Sequence, residues 1–361
     1  MNIRFQQFVC RWLGLLISAM AIFISSSTVM RDEARAQDNK CAALASQLKA
    51  LESSRERLKK ELQKPGDLPQ LKELDAQIRA VQRELDKCAQ PMCNGMRECT
   101  PAEKKIPPYL IADFTGPNGT KLHGYLYVPG VSTDAQLQTL TKKYPAMIWN
   151  HGSEQEPGDG KNLGKLFVDH GFIFFFPHRH GHGLSADAGP WIVDQERLAH
   201  NDLVSLELHE QANKDVMTAV NWLKSQAYVD PERIAMGGGS YGGIQTLLTA
   251  DKDPGLRAYI PFTPGTQSWG NTPLRERLIK AVRNEKAPMF IIQNEGDYTI
   301  APLTTLGTVL LEKGNPQKWK VKLYSSFGCN HEDAHAKFGG TCAGIAIWSP
   351  DGLPFLDQWM R

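Results

Sequence analysis

From Arg233 the chain runs through an apolar strand, Arg233–Met236, into Gly238-Gly239-Ser240-Tyr241-Gly242-Gly243, and at once into an apolar helical stretch, Tyr241–Ala250. A strand that becomes a helix within so few residues forces its corner residue into strained backbone, which only small neighbours can approach. The glycines around Ser240 supply that room. G-x-S-x-G in a strand–turn–helix setting presents a serine hydroxyl as a nucleophile. A phosphate-binding loop is the rival reading, but no Lys follows these glycines.

The flanking sequence agrees with such a corner. Strand-like runs at Lys121–Val128, Ala146–Trp149, Phe172–Phe176, Ala258–Pro261, Met289–Gln293 and Lys320–Tyr324 alternate with helical stretches such as 200–226 and 302–313. Alternation of this kind predicts an α/β fold, a mostly parallel sheet covered by helices on both faces. The roughly 250 residues from 109 onward suffice for about eight strands and a full core.

The segments before residue 109 differ. Arg4 and Arg11 precede an apolar run from Trp12 to Met30, and Ala34-Arg35-Ala36 follows. This pattern predicts a secretory signal over 1–36, cleaved after Ala36, and hence a periplasmic or secreted protein. An uncleaved anchor is the alternative, weakened by the hydroxyl residues Ser25 to Thr28. Nothing else is apolar enough for a bilayer, so no stable membrane span is expected after cleavage. The formal charge is +2, which excludes a nucleic-acid binder that works by neutralising phosphates.

Residues 38–90 hold no aromatic residue and carry a leucine seam. Leu44, Leu48, Leu51, Leu58 and Leu62 recur at helical steps. After Pro65-Gly66 the pattern restarts as Leu71, Leu74, Ile78, Val81 and Leu85. A heptad seam broken by Pro-Gly predicts an antiparallel helical hairpin over 37–90. It would be a spacer, or an arm for a protein partner or self-association. A Cys/Pro linker over 91–108 and a catalytic domain over 109–361 would follow.

Without Cys10, six cysteines remain, an even number that suggests disulfides in an exported chain. Cys41 and Cys88 would staple the open end of the hairpin, Cys93 and Cys99 would close a small loop, and Cys329 would pair with Cys342. The alternatives for the last two are free thiols or pairing with Cys93 or Cys99 across the linker.

Four further motifs join the Ser240 corner: Asn150-His151-Gly152-Ser153 after one strand, Arg179-His180-Gly181-His182-Gly183 after the next, Gly296-Asp297 after a late strand, and a C-terminal His. With these, residues 105–361 resemble the α/β-hydrolase superfamily, in its dienelactone-hydrolase-like and prolyl-oligopeptidase-like branches. The order Ser, Asp, His is that of the superfamily. The resemblance implies Ser240 as nucleophile, Asp297 as the acid (Glu295 its alternative) and His335 as the base (His331 its alternative). It also implies an oxyanion hole from the backbone N–H groups of Tyr241 and of Ser153 or Gly152. His178-Arg179-His180-Gly181-His182 is similar to the H-x-H-x-D-H run of metallo-β-lactamase-type hydrolases, but Gly181 and His182 break that pattern. No metal and no cofactor are therefore expected.

Trp191, Trp269, Tyr241 and Tyr298 are candidate pocket walls. The leading reading is a serine hydrolase acting on small-molecule carboxylic esters through an acyl-enzyme. Missing Glu-Glu and β-propeller signals disfavour an exopeptidase. The alternatives are a peptidase or amidase with the same triad, and a non-catalytic protein that binds a partner through its hairpin.

Overall fold

The computed structural model describes residues 43–44, 46–55, 57, 73–81 and 93–360. The expected signal, the Pro-Gly bend, Cys41 and Cys88 lie outside them. The chain divides into two units, residues 1–92 and 93–361. In the first, the described residues 43–44, 46–55, 57 and 73–81 are helical. Leu44, Leu48, Leu51, Leu74 and Ile78 are half-buried between exposed neighbours, as a seam requires. Arg55 Nε and Asp75 Oδ1 form an ion pair at 2.5 Å between the two stretches.

The second unit is built on one eight-stranded sheet: β1 (Leu110–Thr115), β2 (Lys121–Tyr127), β3 (Tyr144–Asn150), β4 (Ile173–Pro177), β5 (Val229–Gly239), β6 (Ala258–Phe262), β7 (Met289–Asn294) and β8 (Trp319–Tyr324). Its order is β1-β2-β4-β3-β5-β6-β7-β8. β2 runs antiparallel to both β1 and β4, and all other pairs are parallel. The α/β expectation holds.

The period-2 alternation of strand side chains divides the core into two layers. Ile148, Phe175 and Ile291 join one buried cluster. Met147, Trp149, Phe174, Phe176 and Phe290 join the other. The helices, numbered within this unit, are α1 (Asp134–Gln138), α2 (Lys161–Asp169), α3 (Ile192–Ala199), α4 (Asp202–Lys224), α5 (Tyr241–Asp251), α6 (Thr272–Asn284), α7 (Ala301–Leu311), α8 (His331–Lys337) and α9 (Cys342–Met360). Leu223, Leu247, Leu278 and Leu306 from α4 to α7 cover the first layer, and Phe167 of α2 with Trp348 and Phe355 of α9 cover the second.

The helix expected over 200–226 is α4, capped by Asn201, whose side chain accepts from the N–H groups of Leu203 and Val204. Two elements were not expected. A separate α3 precedes α4. The edge strand β1 was not foreseen, because Leu110-Ile111 blurs its alternation; Ile111 is exposed whereas Ala112 and Phe114 are buried.

The cysteine pairing is corrected. Cys93 is bonded to Cys329 and Cys99 to Cys342, not Cys93 to Cys99 and Cys329 to Cys342. The cause lies in the backbone. Asn94 and Gly328 exchange both N–H···O bonds, at 3.1 and 2.8 Å, and this antiparallel bridge sets Cys93 opposite Cys329. Residues 93–108, expected as a linker, are thus tied to the hydrolase unit.

Candidate active site

β5 delivers its C-terminal residues to the middle of the sheet, where Ser240 turns the chain into α5. Ser240 has φ 56° and ψ −119°, a conformation costly for any side-chain-bearing residue. The corner is held by Ser240 N–H, which donates to Phe262 O at 3.1 Å. The glycines are needed because the corner is packed against β3. A Cβ on Gly242 would stand 2.0 Å from Asn150 O, and one on Gly238 would stand 2.7 Å from it.

His335 lies on α8. Its Nε2 is 2.7 Å from Ser240 Oγ and its Nδ1 is 2.9 Å from Asp297 Oδ1. The carboxylate fixes the tautomer: Nδ1 carries the proton and donates to Asp297, and Nε2 accepts from the serine hydroxyl. Asp297 follows β7 and is buried. Its Oδ1 also accepts from Tyr298 N–H at 2.7 Å, and its Oδ2 accepts from Gln293 Nε2 at 3.1 Å. Gln293 was not foreseen in this role, because a buried glutamine at a strand end carries no sequence signal.

The alternative residues sit elsewhere. His331 opens α8 one turn earlier, is exposed, and has Nδ1 2.7 Å from Gly296 O. Glu295 is exposed. Ser240 and His335 open into a cavity of about 430 Å³, which Gly152 and Ser153 also line. Trp149, Phe176, Phe262 and Phe338 form its apolar wall, and Glu154 and Glu332 are its carboxylates. Of the four aromatic residues expected there, Tyr298 lines it; Trp191, Trp269 and Tyr241 do not. Tyr241 instead begins α5, a position whose backbone N–H has no acceptor within the helix.

Behind the loop 151–153 lies a buried polar cluster. Each histidine of the 178–182 run has its own partner. His178 Nδ1 accepts from Leu184 N–H at 2.9 Å, so Nε2 donates to Gly158 O at 3.0 Å. His180 Nδ1 meets Asp215 Oδ2 at 2.6 Å, and His182 Nδ1 donates to Glu154 O at 2.6 Å. Burial pushes His178 down to about 4 and His182 down to about 3, so both are neutral at pH 7. Burial, assisted by the Arg179 charge, also holds His151 well below its ordinary value. Among the described residues no three acidic, His or Cys side chains are grouped to hold a metal ion.

Arg179 is fully buried within this cluster. Its Nη2 donates to His151 O at 2.9 Å and to Gly152 O at 2.7 Å. Its guanidinium carbon lies 4.4 Å from the centroid of the Tyr241 ring. Burial lowers its pKa to about 10, which still leaves it charged at pH 7.

A sheet of this topology with a strained serine at its central elbow places the chain in the α/β-hydrolase superfamily. Residues 118–299, half of the chain, match the model of the X-Pro dipeptidyl-peptidase (S15) family, and the chain belongs to that family. Dipeptidyl-peptidase 5 of Porphyromonas gingivalis is 31% identical over 125 residues, 33% of this chain and 16% of that protein. The polyketide transferase grgF of a Penicillium species is 27% identical over 177 residues, 48% of this chain and 51% of that protein. This chain thus spans about a sixth of the peptidase and half of the transferase. Among solved structures, the acylaminoacyl peptidase of Pyrococcus horikoshii shares the fold with a TM-score of 0.52 at 16% identity, over 74% of this chain and 45% of that one.

Proposed function

We propose that the chain is an exported hydrolase of carboxylic esters that works through an acyl-enzyme on Ser240. The observation that carries this reading is the hydrogen-bonded run from Ser240 Oγ through His335 to Asp297 at the edge of an aromatic-walled cavity. His335 Nε2 takes the hydroxyl proton as Oγ bonds to the substrate carbonyl carbon. The carbonyl oxygen becomes an oxyanion, held by the N–H groups of Tyr241 and Ser153. Collapse breaks the bond to the leaving alkoxide, which takes the proton from His335. Water then repeats the sequence, releasing the carboxylic acid and free Ser240. Asp297 stays ionised and stabilises the imidazolium. Export rests on the N-terminal signal pattern and is consistent with the two disulfides.

The ester preference rests on the cavity wall: four aromatic side chains suit an apolar acyl group. A second reading, a peptidase acting next to a free N-terminus, is favoured by the S15 family match and by Glu154 and Glu332 at the cavity, either of which could meet an ammonium group. One experiment separates them. The protein is labelled with a fluorophosphonate, then offered matched esters, dipeptidyl amides and N-blocked amides, with Ser240→Ala as control. Ester turnover that exceeds amide turnover and disappears in Ser240→Ala, by about 10⁴–10⁶ in kcat, is the expected result. Faster cleavage of dipeptidyl than of N-blocked amides, with esters poor, would replace the first reading by the second. Full activity in Ser240→Ala would reject both.

A further inference from the structure

The Arg179 guanidinium is an unusual object to bury. It forms no ion pair among the described residues, and its Nε and Nη1 have no hydrogen-bond partner there. The nearby Asp215 is engaged instead by the backbone N–H of His180 at 2.9 Å and by its ring. A buried, unneutralised cation costs stability unless something compensates it. An unsatisfied group of this kind is itself an observation that asks for a role.

The contacts of Nη2 supply one. The described chain contains no cis peptide bond, so in each peptide unit the C=O and the following N–H point in opposite directions. The carbonyl of Gly152 belongs to the unit that carries Ser153 N–H, and the carbonyl of His151 belongs to the unit that carries Gly152 N–H. Nη2 takes both carbonyls from behind. The Gly152 carbonyl is fixed a second time, by His151. Arg179 N–H donates to His151 Nε2 at 3.2 Å, and His151 Nδ1 lies 2.9 Å from both Gly152 O and Arg179 Nη2. The opposite ends of these two units, the N–H groups, then face away from Arg179, and Gly152 and Ser153 line the cavity that holds Ser240. The plane of the same guanidinium rests on the ring of Tyr241, whose backbone N–H is the other donor.

We propose that Arg179 is the positioning residue of the oxyanion hole: it fixes the peptide units of loop 151–153 with their N–H groups toward the substrate oxygen, and its charge, which meets no carboxylate at ion-pair distance, favours the state in which that oxygen is negative. A group arranged in this way stabilises the transition state more than the bound ester. It also polarises the two peptides it grips, which strengthens their N–H groups as donors. The proposal rests on the serine-hydrolase mechanism above and adds a residue that touches neither substrate nor triad.

The test uses Arg179→Met and Arg179→Lys in the full chain, with Ser240→Ala prepared alongside. Four quantities are read on one acyl chain: kcat and KM of the ester, affinity for the corresponding trifluoromethyl ketone, which Ser240 captures as an oxyanion, and affinity for the plain methyl ketone. Arg179→Met should lose about 10² in kcat, the lower range for loss of an oxyanion donor, with KM within threefold. Trifluoromethyl ketone affinity should fall by a similar factor while methyl ketone affinity stays. Arg179→Lys keeps the charge but presents a point donor rather than a fork. It should lose at least tenfold in kcat, and it carries the test if Arg179→Met does not fold. Folded variants with kcat within twofold of the parent would overturn the proposal, as would a kcat loss with trifluoromethyl ketone affinity intact. Full activity in Ser240→Ala would instead reject the mechanism on which the proposal is built.

Discussion

Removing the Cys99–Cys342 bridge should weaken the fold and the catalytic step separately. The two bridges span 236 and 243 residues, and either alone closes a loop for which chain entropy gives about 5 kcal/mol. Their loops overlap, however, so the second does not add that amount. With Cys93–Cys329 in place, closing Cys99–Cys342 completes a ring of seven residues from 93–99 and fourteen from 329–342, about 21 in all. The same relation then gives about 3 kcal/mol. Cys99→Ser with Cys342→Ser should therefore cost about 3 kcal/mol, roughly two decades in the unfolding equilibrium. The freed segment carries α8 and His335. A displacement near 1 Å costs about 10² in rate, so kcat should fall ten- to hundredfold while KM changes little. Urea denaturation followed by tryptophan fluorescence reads the first quantity, and ester hydrolysis well below the unfolding transition reads the second. A variant unchanged in both midpoint and kcat would refute the reasoning. So would non-reducing peptide maps that join Cys93 to Cys99 or Cys329 to Cys342.

Three further outcomes are expected. Asp297→Asn should leave KM near the parent value and lower kcat by about 10⁴, because the amide favours the wrong imidazole tautomer; a loss below tenfold in steady-state kinetics would remove Asp297 from its role. A Cβ on Gly339 would lie 3.7 Å from Phe262 and 3.8 Å from Trp149, so Gly339→Val should fill the aromatic end of the cavity and shift preference toward shorter acyl chains; an unchanged chain-length profile would show that the acyl group binds elsewhere. Stability should fall as pH drops from about 6.5 toward 3. Burial holds His178 at about 4 and His182 at about 3, so in that window the unfolded chain binds protons that the folded chain refuses. Urea midpoints at pH 7 and pH 5 check the sign, and a midpoint that rises on acidification would contradict it.

Much of the site was legible in the chain because its physics is local. A serine flanked by glycines between a strand and a helix has few conformations open to it, and the Ser240 corner follows from that stretch alone. The apolar runs and their spacing likewise dictate a parallel sheet, since strands buried on both faces need helices above and below. β1 escaped because an edge strand with one wet face and an exposed Ile111 has no clean alternation. The leucine seam of 38–90 predicted helices, and its described parts are helical.

His331 and His335 stand four residues apart on one helix, and the residues after His335 (Ala336-Lys337-Phe338-Gly339) resemble the superfamily better than those after His331. Local sequence could favour His335, but only the packing of α8 beside β7 brings it to both Asp297 and Ser240. The disulfides follow the same rule. Nearest-neighbour pairing is the economical guess from spacing, but the backbone bridge between Asn94 and Gly328 joins segments more than 200 residues apart and pairs the cysteines beside it. Arg179 was visible only as part of a His-rich run. Its meaning depends on which carbonyls its guanidinium reaches once β3 and β4 lie side by side. Sequence determined the elements and the Ser240 corner, because backbone sterics and burial patterns act over a few residues. Tertiary structure decided which histidine meets Ser240 and Asp297, the bridges and the buried cation, because each is defined by partners that the chain brings together from afar.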